Sequence, residues 1–192
     1  MDLAGDGIPP LNAGPPPERR RVDLHTHSTA SDGADTPAGL VARAAAKQIA
    51  AIALTDHDTV AGVPEAIAAG ERVGVRVIAG CEFSVAVSWG EMHLLGYFLP
   101  ADSPRLADFL ARSRDDRARR VRVMVQRLQR LGLAIEEEMV LTEAQGGSLG
   151  RPHVARALLR LGAVSSVNEA FDRYIARGRP AFVDKTLPSF RE

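Results

Sequence analysis

The sequence predicts an α/β fold, a parallel sheet or β/α barrel carrying an all-helical insertion. Three observations predict it. Short apolar runs alternate with helix-patterned segments between residues 21 and 99, polar residues gather where those runs end, and from Ser103 the hydrophobic period changes to 3.6. Strand, helix, strand, helix, strand with right-handed crossovers builds a parallel sheet or a barrel, whose sites lie at the strand carboxyl ends.

Residues 1–20 hold five of the twelve prolines and no apolar periodicity, so a disordered leader is expected there. The first part of the barrel is expected over 21–103. Val22 and Leu24 form a short strand that stops at His25, and Asp35-Thr36-Pro37 caps a helix over 37–48, with Leu40, Val41, Ala44 and Ala45 on one face. Ala50 to Leu54 is continuously apolar, as a strand buried on both faces should be, and ends at Thr55-Asp56-His57-Asp58. A helix over 63–72 breaks at Gly74, and a third strand from Val75 is expected to end at Gly80-Cys81-Glu82. Phe83–Ser88 and Met92–Leu99 then alternate as a pair around Trp89-Gly90.

The helical insertion is expected over 104–179. Ser103-Pro104 opens a long helix whose stripe of Val121, Met124, Val125 and Leu128 runs toward Gly132. Pro152 opens a second helix that closes near Gly162, and Ser166 with Glu169 forms a capping box for a third. Residues 180–192 are expected to return to the barrel, with a strand over Pro180–Val183 and a helix start from Thr186 that has no helix behind it. On this reading the chain stops partway through the architecture.

Composition excludes several classes of function. At 192 residues, 45% hydrophobic and 25% charged, the chain is neither collagen-like nor wholly disordered nor a coiled coil. Lys plus Arg and Asp plus Glu both number 24, so no whole-molecule field draws nucleic acid or an anionic membrane, and no stable DNA partner is expected. The single cysteine, Cys81, excludes an intramolecular disulfide and a CxxC zinc motif, leaving His and carboxylate as metal ligands. No apolar run approaches the roughly 20 residues of a membrane span, and a cytoplasmic protein is expected.

The chemistry gathers at the strand ends. His25 and His27 are two apart, so an extended backbone aims both imidazoles at one point, and Asp32, beside Gly33 in a turn, can add a carboxylate oxygen. His57 ends the second strand. Glu82 ends the third, where a carboxylate can sit between two cations and bridge them. Imidazole and carboxylate without thiolate suit Mn, Zn or Fe in a hydrolytic cluster that generates hydroxide near neutral pH. Taken alone, His93 and His153 read as surface or hydrogen-bonded core residues. Asp56 and Asp58 read as orienting the imidazole or capping the next helix, and Cys81 as a small buried filler.

Nine arginines lie between Arg105 and Arg130 against three acids, a face that could guide a polyanion, although most are expected to be solvated and paired along the helix. Arg151, just before Pro152, falls at a helix amino terminus, where free N–H groups favour phosphate.

His25-Thr26-His27-Ser28, Ser31-Asp32-Gly33, Thr55-Asp56-His57-Asp58, Gly80-Cys81-Glu82 and the strand bearing His93 together resemble the PHP (polymerase and histidinol phosphatase) phosphoesterases. Gly150 to Arg156 and Tyr174 to Gly178 are similar to the branch acting on 3′,5′-nucleoside bisphosphates and short RNA 5′ ends. The resemblance implies a distorted seven-stranded β/α barrel with a centre of three divalent ions, Mn or alternatively Zn, Fe or Mg. It implies that His25, His27, Asp32, His57, Glu82 and His93 are ligands, with Glu82 and His57 central to catalysis, and that Arg151 and His153 contact substrate phosphate. The family's later ligands have no counterpart, since no histidine follows His153, and the isolated chain is expected to be impaired. Competing readings are a phosphatase on another small ester such as histidinol phosphate, a metal amidohydrolase, and an inactive fragment or nucleic-acid-binding module using the arginine-rich helix. The amidohydrolase reading lacks a well-placed bridging lysine, since only Lys47 and Lys185 exist.

Overall fold

The computed structural model describes residues 21–100 and 102–188. The leader expected over 1–20 lies outside the described residues. Of the helix start expected over 186–192, only 186–188 are described, and they are not helical.

Strands β1 (Arg21–Thr26), β2 (Ile49–Leu54), β3 (Arg76–Val87) and β4 (Gly90–Tyr97) form one sheet in chain order. β1, β2 and the start of β3 run parallel, while the rest of β3 pairs antiparallel with β4. The third strand does not end at Gly80-Cys81-Glu82 as expected. It changes partner there: Ala79 is the last residue paired with β2, and Gly80 the first paired with β4. Gly80 permits the change, because a Cβ at this position would lie 2.9 Å from both the Gly96 carbonyl oxygen and the Thr55 methyl.

Helix α1 (Pro37–Ala46) starts where expected, with Thr36 Oγ1 accepting from the Gly39 N–H at 3.0 Å. Helix α2 (Val63–Val73) ends at Gly74, whose φ of +74° suits glycine. Val41, Ala44, Val63, Ala66 and Ala69 bury these helices against Ile52 and Leu54 of β2, each large aliphatic contributing about 1.5–3 kcal/mol.

A second apolar cluster belongs to the helices that follow: α3 (Pro104–Arg130), α4 (Glu137–Ala144), α5 (Arg151–Arg160) and α6 (Val167–Ala170), the last running into a π-helical turn at Phe171–Ile175. α4 was not expected. Nor is Pro180–Val183 a strand: Ala181 and Val183 are buried in the second cluster, and the carbonyls of Phe182 and Val183 accept from Arg127 and Arg120 instead of a neighbouring strand. At α6, Ser166 Oγ caps the Glu169 N–H, while the Glu169 carboxylate reaches back to Ser165, one residue before the expected partner.

The helical segment docks on the turn that follows β1. Ser148 N–H donates to the Ala30 carbonyl at 2.8 Å, and a Cβ on Gly147 would meet the Thr29 carbonyl oxygen at 2.4 Å. Among the described residues no helix is long and apolar enough to cross a membrane.

Candidate metal centre

The end of β1 is pinned to the end of β2 by two threonines. Thr26 Oγ1 donates to the Ala53 carbonyl at 2.7 Å, and Thr55 Oγ1 accepts from the Thr26 N–H at 3.2 Å. This exchange sets His25 and His27 beside His57. Buried Asp56 fixes the turn after β1, accepting from the Ser28 N–H and Oγ at 2.7 Å each and from Ser31 Oγ at 2.6 Å. Asp58, with φ +50°, takes Arg117 Nε at 2.7 Å instead of capping a helix. His57 itself makes an isolated parallel bridge with Glu82, through Asp58 N–H to the Glu82 carbonyl and Glu82 N–H to the Asp56 carbonyl.

Gly33 closes the same turn against the backbone of His27. A Cβ there would fall 2.4 Å from the His27 carbonyl oxygen, with no flexible side chain to give way. Gly33→Ala is therefore expected to lower stability by about 1–3 kcal/mol and to displace His27. Urea unfolding checks the first effect and Mn2+ titration of the folded variant the second.

These elements gather four of the six expected ligands, the histidines, around a fifth, Glu82, and set the sixth, Asp32, against two of those histidines. Glu82 is 2% exposed, yet His25 Nε2 lies 2.8 Å, His27 Nε2 2.9 Å and His57 Nδ1 3.7 Å from its Oε2, and His93 Nδ1 touches Oε1. Asp32 stands 3.6 Å from His27 Nδ1 and 3.7 Å from His57 Nε2. The imidazole centroids are 5.1, 4.7 and 5.2 Å apart in the order His25, His27, His57, His93. Three overlapping sets, His25–His27–Glu82, His27–Asp32–His57 and His57–Glu82–His93, each hold donor atoms within 4.8 Å of one another.

Burial alone would raise the Glu82 carboxyl, but hydrogen bonds from His27, His93 and His25 outweigh it and hold the group well below the usual carboxylate range. Burial, and then the Arg117 cation, push His57 down to about 4, so its imidazole is neutral at pH 7. Bonds to Glu82 and Glu91 push His93 up to about 9. His57 Nδ1 is buried with no hydrogen-bond partner. A buried nitrogen lone pair without a donor, beside a carboxylate ringed by imidazoles, fits a divalent cation far better than it fits a protein left to itself.

Arg151 and His153 lie in different surroundings. The Arg151 guanidinium stands 5.7 Å over both the Phe171 and Phe182 rings and lines a cavity of about 210 Å3 with Glu91, Arg120, Arg177, Asp184 and Lys185. His153 is buried, its Nδ1 accepting from the Gly150 N–H at 3.0 Å, and it borders a separate cavity with Ser31 and Gly33. Cys81 is fully buried, its thiol donating to the Asp56 carbonyl, and burial pushes that thiol up, as suits a filler. Sequence reasoning missed Glu91, Arg117, Arg120 and Lys185. Arg117 and Arg120 stand one turn before Val121 and Met124 on the same buried stripe, a signal that was present.

A mixed sheet carrying an imidazole and carboxylate cluster where its parallel strands end defines a metal-binding α/β class. Residues 23–176 match the PHP domain, and the chain belongs to that family. It is 37% identical over 163 residues to the 5′-3′ exoribonuclease Rnm of Salmonella typhimurium, covering 84% of this chain and 56% of that protein. It is also 37% identical over 174 residues to a 3′,5′-nucleoside bisphosphate phosphatase of Chromobacterium violaceum, covering 89% and 60%. The chain thus spans little more than half the length of these relatives. Among solved structures, a candidate metal-dependent phosphoesterase from Bifidobacterium adolescentis superposes with a TM-score of 0.84 at 30% identity, covering 89% of this chain and 60% of that one. A Chromobacterium violaceum chain described as an amidohydrolase with bound sulfate gives 0.81 at 35% identity, covering 88% and 60%.

Proposed function

We propose that the chain is part of a metal-dependent phosphoesterase that hydrolyses phosphate monoesters of 3′,5′-nucleoside bisphosphates and acts on the 5′ ends of short RNA. Its four strands form part of a distorted seven-stranded barrel, with residues 104–179 as a helical insertion. Its place is the cytoplasm, in keeping with a lone buried cysteine. The observation that carries this reading is Glu82, a buried carboxylate met by four imidazoles, two of which also face Asp32.

His25, His27, Asp32, His57, Glu82 and His93 would hold the ions, three Mn2+ in this reading. Bound divalent ions lower the pKa of coordinated water and polarise phosphoryl oxygens. Glu82 keeps its negative charge through its imidazole contacts, and neutral His57 offers a lone pair without first losing a proton. Arg151, Arg120 and Arg177 give the neighbouring cavity a positive lining suited to a second phosphate of the substrate. His153 supports this indirectly, its ring hydrogen-bonded to the backbone of Gly150 before α5 and to the backbone of Ser31 in the turn that carries Asp32.

The test is phosphate release from adenosine 3′,5′-bisphosphate by the full-length gene product. Release is expected with Mn2+ and none in excess EDTA, with histidinol phosphate turned over far more slowly. RNA binding that survives EDTA and falls steeply with salt, without Mn2+-dependent turnover of any ester, would point to a nucleic-acid-binding module and overturn the proposal. The 192-residue chain alone is expected to turn over little.

A further inference from the structure

We propose that Lys185 and Glu91 are positioning residues for the metal centre and act through His93. The inference rests on the reading of Glu82 and His93 as ligands. His93 uses its two ring nitrogens on two carboxylates: Nδ1 meets Glu82, and Nε2 lies 2.8 Å from Glu91 Oε1. Glu91 and His93 are two residues apart on β4 and so project from the same face. A histidine held from behind by a carboxylate has its tautomer and ring plane fixed, leaving the other nitrogen aimed at its ligand position.

Lys185 fixes the carboxylate in turn. Its ammonium contacts the same Oε1 of Glu91 and donates to Ser84 Oγ at 3.0 Å, and Ser84 is the cross-strand partner of His93. The lysine thus spans β3 and β4 at the position of His93. Its side chain is only 12% exposed, which separates it from a solvated surface pair of negligible worth. The segment that delivers it is anchored on both sides. Arg120 and Arg127 bond the carbonyls of Val183 and Phe182 before it, and Thr186 after it accepts from Arg119 at 3.0 Å while its N–H donates to Asp116. The last described stretch of the chain therefore reaches the centre through Lys185, Glu91 and His93 in series.

Mn2+ affinity of the full-length protein, read from the electron paramagnetic resonance of free ion, tests this. Glu91→Gln and Lys185→Met are each expected to weaken binding of one ion by about 10–100-fold. Lys185→Met is expected to add almost nothing in the Glu91→Gln background, because the two act in series. Lys185→Arg keeps a cation and should restore affinity to within about threefold of wild type. Unchanged affinity in the nearly isosteric Glu91→Gln overturns the proposal, even if Lys185→Met proves unstable by circular dichroism. So does an equal loss from Lys185→Met with and without Glu91, or a Lys185→Met effect confined to KM, which would place the lysine on substrate. Wild-type protein that binds no Mn2+ would sink the metal reading itself, a different failure.

Discussion

Glu82→Gln is expected to reduce Mn2+-dependent phosphate release by roughly three orders of magnitude while leaving the fold intact. The substitution keeps shape and volume, so nothing is lost from packing around a side chain only 3% exposed. What it removes is one unit of negative charge from a point contacted by His25, His27 and His93 and approached by His57. One unit of charge acting at about 4 Å in a partly screened protein environment is worth about 4 kcal/mol, and that is close to a thousandfold in rate or binding. No other expected ligand meets as many of its fellows through nitrogen–oxygen contacts. His93→Ala, on a side chain 42% exposed and contacting Glu82 and Glu91, should cost less. The comparison is made by steady-state turnover and Mn2+ titration of both variants, with circular dichroism as the folding check. Wild-type turnover in Glu82→Gln would remove the observation on which the proposed function stands.

The parts of this fold that were legible in the sequence are those whose signals are local. The Thr36-Pro37 start of α1, the Gly74 stop of α2, the apolar run of β2 and the stripe of α3 each act within a few residues, and each is found where expected. The gathering of the expected ligands was legible for a related reason: a strand of period 2 followed by a short turn leaves little choice about where His25, His27 and Asp32 point. What stayed hidden depends on partners distant in sequence. β3 continues through Gly80 because β4 takes over its hydrogen bonds, and the dipeptide Gly80-Cys81 carries no mark of that exchange. α4 begins in an acidic run and its N-cap, Glu136, makes no side-chain cap bond, so neither periodicity nor capping announced it. Residues 180–183 read as a strand because Ala181 and Val183 are buried apolar positions. Their carbonyl neighbours are instead satisfied by Arg120 and Arg127 from α3. A run of nine arginines reads by default as a solvated face, and only their placement against the apolar stripe tells Arg117 and Arg120 from the rest.

Arg117→Met is expected to cost about 3–5 kcal/mol of stability, a large part of the roughly 5–15 kcal/mol that holds an ordinary domain together. The Arg117 and Asp58 side chains are 8% and 4% exposed and meet at 2.7 Å, and Arg117 Nη1 also donates to the Leu149 carbonyl at 3.1 Å. A buried pair of this kind contributes little compared with well-packed apolar residues, because desolvation offsets most of the attraction. Removing one partner is another matter, since the remaining charge stays buried without compensation. Here the stranded group would be Asp58, whose backbone N–H bonds the Glu82 carbonyl and whose neighbour is His57. Relief of that charge, by local opening of the turn, would pull His57 away from Glu82. Loss of stability and loss of Mn2+ affinity should therefore appear together in Arg117→Met. Asp58→Asn in the Arg117→Met background should recover about 1–3 kcal/mol, because it removes the unpaired charge without restoring the pair. Urea unfolding of wild type, both single variants and the double variant measures that coupling. Strict additivity would mean that α3 holds the His57 turn by packing alone.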